Sequence, residues 1–200
     1  MPAEFASFAF ISTLAAVING LGIIRWLNSL ADYLRKRDSM TIEYYWVYTL
    51  AAVFQFILHI LLWWSFWSVR ADVKLNFFTY LYLLAGPIML FIGSAFLANM
   101  FDEDRVNLRQ HYYGARRVYS TVLVLSWCWA LLIAPIFRGY FVDHSPIFAM
   151  FLVVAIAQRV TDYSLVHRIA AIINWLLLLT FVTLFGLELG GLQPKLDLFD

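Results

Sequence analysis

Six apolar stretches of membrane-crossing length follow one another along the chain, at residues 5–27, 44–67, 77–100, 118–137, 146–163 and 168–187. A bilayer core of about 30 Å takes roughly 20 helical residues. The pattern therefore predicts an all-α, polytopic integral membrane protein, about six transmembrane helices in one compact bundle over residues 1–200. The fifth stretch is the weakest. It is wholly apolar only from Pro146 to Ala157, and Gln158, Arg159 and Asp162 follow. A five-span or re-entrant arrangement is the alternative.

Polar positions inside these stretches recur at helical spacing. Tyr45, Tyr48, Ala52, Gln55, His59 and Trp63 are three or four residues apart, which keeps them on one helix face. Polar groups at membrane depth are costly and normally face other helices or a cavity. Weaker stripes run through Ser12, Ala16, Asn19 and Gly20; Tyr80, Pro87 and Ser94; Tyr119 and Ser126; and Ala170 and Asn174. Small and polar residues on one face serve close helix packing in lipid. They equally suit a polar lane between helices, for which Asn19, Tyr48, Gln55, His59, Ser94, Ser126 and Asn174 are the candidate ligand- or pore-lining residues. Gly86-Pro87 lies near the middle of the third stretch, where proline frees a carbonyl and permits a kink.

Composition fits the membrane reading: 63% of residues are apolar or aromatic and only 14% are charged, with a mean hydropathy of +0.77. Soluble domains hold roughly 45–50% apolar and about 25% charged residues. The net charge of +1 offers nothing for nucleic acid to bind. Cys128 is the single cysteine, which excludes an internal disulfide, a CxxC pair and cysteine-ligated clusters. The first stretch follows Glu4, has no basic leader and no small-residue cleavage site before Arg25, and so reads as a retained span.

Charge also sets orientation. Odd-numbered loops carry Arg35, Lys36, Arg37, Arg105, Arg109, Arg116, Arg117, Arg159 and Arg168; even-numbered loops and the carboxy-terminal end carry Arg70, Lys74, Arg138 and Lys195. The positive-inside rule puts the odd loops in the cytoplasm and both termini outside, in an inner (cytoplasmic) membrane. Tyr44, Tyr45 and Trp46 open the second stretch and Trp63, Trp64 and Trp67 close it, as interfacial belts do.

Between the stretches, Leu27, Leu30 and Leu34 extend the first helix to a stop near Asp38 and Ser39. Asp102, with Glu103 and Asp104, suits the start of a short helix in the second inner loop. Ser145-Pro146 suits the start of the fifth, and the chain after Gly190-Gly191 reads as loose. Glu43-Tyr44-Tyr45 resembles His111-Tyr112-Tyr113, with Val47-Tyr48 and Val118-Tyr119 following, which hints at repeated helical hairpins.

The chemistry is defined mostly by absences. No span has a central carboxylate or any lysine, and neither HExxH nor GxSxG occurs. His59 is the single histidine deep in a span, so bis-histidine haem lacks its second ligand. A serine–histidine pairing through Gly93-Ser94 leaves His167 as its histidine. Asp102, Glu103, Asp104 and His111 are read as helix-end charges rather than a metal site. The expected function is a non-enzymatic channel or small-solute-binding subunit, without cofactor or metal, working in the lipid bilayer and as a homo-oligomer. One alternative is a structural or signalling partner acting through basic cytoplasmic loops. Arg105, Arg109, Tyr112, Tyr113, Arg116 and Arg117 would then meet an anionic lipid or cytoplasmic partner. The other is a membrane redox or lipid-modifying enzyme.

Overall fold

The computed structural model describes residues 2–69, 76–98 and 105–186, with side chains over 12–66, 76–98 and 105–185. Six α-helices dominate these residues: α1 (Pro2–Lys36), α2 (Trp46–Val69), α3 (Phe77–Leu97), α4 (Leu108–Arg138), α5 (Ser145–Val160) and α6 (Ser164–Phe181). Five are long and apolar enough to cross a membrane; α5 is shorter. At 1.5 Å per residue its 16 residues reach about 24 Å, less than the roughly 30 Å of a bilayer core.

Several boundaries differ from the sequence pattern. Helix α4 begins ten residues before the fourth apolar stretch, capped by Asn107, whose side-chain oxygen accepts the Gln110 N–H at 2.8 Å. Gly114 is simply carried within it. The expected cap at Asp102, with Glu103 and Asp104, lies outside the described residues, as do Arg70, Lys74, Gly190-Gly191 and Lys195. In α3 the cap is Asn76. Ser145 is not the cap of α5. That place falls to His144, which makes no side-chain cap bond, while the Ser145 hydroxyl oxygen accepts the Val142 N–H. Helix α6 starts at Ser164, which draws His167 and Arg168 into its first turns, and a π-helical turn, Val182–Gly186, extends it.

The sequence pattern held no sign of strands, yet Thr41–Glu43 (β1) and Arg105–Asn107 (β2) pair in parallel, Ile42 opposite Val106. Three residues each are too few for a periodicity of two to register. Each strand lies between two helices, so helix–strand–helix occurs twice. The register sets Glu43 against Asn107, not against His111 as the Tyr-Tyr resemblance would have it. The Asn107 amide donates to the Glu43 carboxylate across the pair.

Helix α3 packs between α1 and α4, α4 between α3 and α5, and α5 against α6. Helix α2 touches α1, α3, α4 and α6, which makes it the central element. Phe54, Gln55, Leu58, His59 and Leu62 of α2 are consequently all buried. By contrast, Val17, Leu21 and Ile24 of α1 and Leu176 and Leu179 of α6 are exposed. An apolar exterior around buried polar side chains suits a lipid solvent.

Candidate functional site

Two regions concentrate chemistry: a polar seam where α1, α2 and α3 meet, and a cavity at the end of the bundle bearing the α4–α5 connection. In the seam, Asn19 of α1, His59 of α2 and Ser94 of α3 converge, each almost wholly buried. The Asn19 amide N–H donates to the His59 carbonyl at 3.0 Å. Its oxygen therefore faces the ring, 2.7 Å from Nδ1, which must carry the proton. Nε2 is left as acceptor for the Ser94 hydroxyl, 2.7 Å away. The Ser94 oxygen in turn accepts the Trp26 Nε1–H at 2.9 Å. Every group in this chain is satisfied with the imidazole neutral.

Two glycines permit such closeness. A Cβ on Gly22 would lie 2.2 Å from a ring atom of His59, and one on Gly93 would lie 2.9 Å from Gln55 Nε2. Gln55 Nε2 donates to the Leu90 carbonyl at 3.0 Å, while its Oε1 has no partner among the described residues.

A serine 2.7 Å from Nε2, with an amide oxygen orienting Nδ1, has the connectivity of a nucleophile, its base and an orienting group. The histidine is His59 rather than His167, a correction that required knowing which helices are neighbours. A nucleophile also needs access. His59 and Ser94 are fully enclosed, Trp26 occupies the serine oxygen, and neither residue lines a described cavity. The seam is an interhelical clasp.

The remaining lane candidates lie elsewhere. The Tyr48 ring meets His111 edge-on at the strand end. Ser126 bonds to the Val122 carbonyl of its own helix and borders the cavity. Asn174 borders a separate small void beside Tyr112 and Gln158. The seven do not line one continuous lane, because α2 buries more than one face and its stripes meet different neighbours.

At the strand end, Arg105, Arg109 and Arg117 are exposed, but Tyr112 and Arg116 are not surface residues. Tyr112 donates its hydroxyl to His167 Nδ1 at 2.9 Å, and His167 Nε2–H donates to the Thr161 carbonyl at 3.0 Å. Arg116 bonds the same carbonyl and pairs with Asp162. Helix α4 thus clamps the turn between α5 and α6. Tyr113 is partly buried under Arg109, whose guanidinium lies 5.9 Å from the ring centre. Burial, with the Tyr113 hydroxyl beside it, pushes the Tyr45 phenol up.

The cavity measures about 140 Å³. Its wall includes Leu62, Leu90, Trp127, Trp129 and Phe148, and side chains of α2 to α6 all contribute. Trp127 stacks on Phe151 with ring centres 4.2 Å apart and planes 4° from parallel, forming a flat wall. Arg138, His144 and Ser145 stand at the end near the α4–α5 connection. Burial, and secondarily the Arg138 guanidinium, holds the His144 imidazole down to about 4. The apolar wall left no signal in the sequence, since aromatic residues near helix ends read equally well as belts. Among the described residues no group of three or more metal-ligating side chains forms. No protein-family model, curated protein or solved structure matches the chain.

Proposed function

We propose that this is a non-enzymatic, multi-pass membrane protein that binds a small apolar ligand in the cavity among α2–α6. The observation that carries the reading is the 140 Å³ void against the Trp127–Phe151 stack. The pocket is apolar over most of its wall, and an apolar cavity of about 150 Å³ holds a benzene. Ligand binding is favoured over passage along a polar lane, because the seam's polar groups are spent on one another. The test is to titrate the full chain in lipid nanodiscs with benzyl alcohol, a neutral ring-sized probe, and to follow thermal unfolding. Occupancy at about 100 times the dissociation constant adds roughly 2.7 kcal/mol. The wild type should gain several degrees and Ala134→Phe, which fills the void, should not. No shift in the wild type at saturation would refute the reading.

The proposed orientation sets β1, β2 and the α5–α6 turn in the cytoplasm, with the cavity end and both termini outside, in a cytoplasmic membrane. Arg105, Arg109 and Arg117, all exposed at the strand end, support it. A carboxy-terminal alkaline phosphatase fusion should be active and a carboxy-terminal green fluorescent protein fusion dark. The reverse pattern would leave an odd number of crossings, with α5 the helix that stays on one side.

A further inference from the structure

Arg117 of α4 and Arg159 of α5 are brought together at the edge of the bundle by Thr121. The Arg159 Nε–H donates to the Thr121 hydroxyl oxygen at 2.7 Å, and that hydroxyl donates to the Arg117 carbonyl, also at 2.7 Å. Both arginines are exposed, and neither forms an ion pair among the described residues. Asp162, the acid on the adjoining turn, pairs with Arg116 instead. Two positive side chains thus leave one patch and repel each other until an anion joins them. Their level along the helices is also defined. Arg117 directly precedes the apolar stretch 118–137, and Arg159 stands next to the last residue of α5. Polar headgroups lie where the apolar runs stop. Val118 and Leu125 flank Thr121 on its own face of α4, and Ile156 lies one turn before Arg159; all three are exposed.

We propose that this patch binds an anionic phospholipid, its headgroup phosphate held by Arg117 and Arg159 and an acyl chain lying against Val118, Leu125 and Ile156. Arginine forks match phosphate oxygens two at a time. With Nε engaged by Thr121, the Arg159 guanidinium turns its two terminal nitrogens to the phosphate and is held in place before the lipid arrives. Such ordering lowers the entropy lost on binding. A lipid fits better than a soluble anion, because exposed apolar residues continue from the cations and a lipid supplies both parts.

The positive-inside rule accounts for arginines in an inner loop, but not for a hydrogen bond that orients one of them beside another. Arg105 and Arg109 mark the contrast: both are exposed at the strand end, and Arg109 lies over the Tyr113 ring. The site is independent of the cavity reading, since none of its residues lines that cavity.

The experiment uses the full chain in detergent micelles, with native mass spectrometry resolving each bound lipid. Dioleoyl phosphatidylglycerol and dioleoyl phosphatidylcholine are titrated separately. The anionic lipid should take its first site about 20-fold more tightly, at about fivefold per arginine. Arg117→Gln and Arg159→Gln should each lose about fivefold of that preference. Arg109→Gln, the same charge change at the strand end, should keep it. Thr121→Val leaves every charge in place, removes the orienting bond and should lose about threefold. Equal affinity for the two lipids would overturn the proposal. So would a loss in Arg109→Gln as large as in Arg159→Gln, which would make the attraction a matter of net charge. Full preference in Thr121→Val would overturn the part given to the orienting bond. Displacement of the lipid by an equal concentration of glycerol 3-phosphate would overturn the lipid in favour of a soluble phosphate.

Discussion

Gly22→Ala should cost about 3 kcal/mol of stability, more than most single-methyl additions, because the methyl has nowhere to go. Its carbon would lie 2.2 Å from His59 Cε1. A flexible side chain could move aside, but this ring is tied at both nitrogens, to Asn19 and to Ser94. Overpacking alone costs about 1–3 kcal/mol. Moving the ring also gives up two interhelical bonds, each worth about 0.6 kcal/mol in membranes. The double-mutant cycle isolates the cause. In a His59→Ala background the same Gly22→Ala change should cost under about 0.5 kcal/mol, a coupling of about 2.5 kcal/mol or more. Unfolding of all four variants in mixed micelles measures it. Equal costs in the two backgrounds would mean that the ring does not sit on Gly22.

Asp162→Ala should destabilise the protein more than Arg116→Met, although both remove the same ion pair. The two partners are unequally placed: the Arg116 side chain is 4% exposed and that of Asp162 is 73% exposed. Removing the acid strands a buried guanidinium with the Thr161 carbonyl as its remaining partner, while its Nε already lacks one. Breaking a buried pair in that direction costs about 3–5 kcal/mol, reduced here to roughly 2 because Asp162 is largely solvated. Removing the arginine leaves a carboxylate that already faces solvent. The Thr161 carbonyl keeps its bond from His167, and methionine fills the space. About 1 kcal/mol or less should be lost. Thermal unfolding, with hydrogen exchange of the amides at 160–164, ranks the two. The opposite order would show that the pair stabilises through the acid.

The same pair marks where sequence reading misjudges a residue. Four arginines within 13 residues look like a working surface, and Arg109 and Arg117 are exposed. Arg116 is instead a clamp, because α4 begins at Leu108 and turns that face toward α5 and α6. The early start has a local cause in Asn107, a good cap that no apolar periodicity announces. The strands escaped notice for a related reason: pairing Ile42 with Val106 joins segments 64 residues apart, and no window spans both.

What the sequence determined by itself is what local chemistry controls. Runs of apolar residues set six helices to within a turn or two at most ends, the shortness of α5 included, because hydropathy and helical spacing add up within one segment. The Gln55–His59 stripe also belonged to one face by spacing alone. Which faces meet was decided only in three dimensions. Central placement of α2 gave His59 to Asn19 and Ser94, sent Asn174 to another void, and left Ser126 bordering a third region. The cavity, with His144 at its end, is a mismatch among five helices. No single helix encodes a void, since a void is the space that the packing of all of them fails to fill.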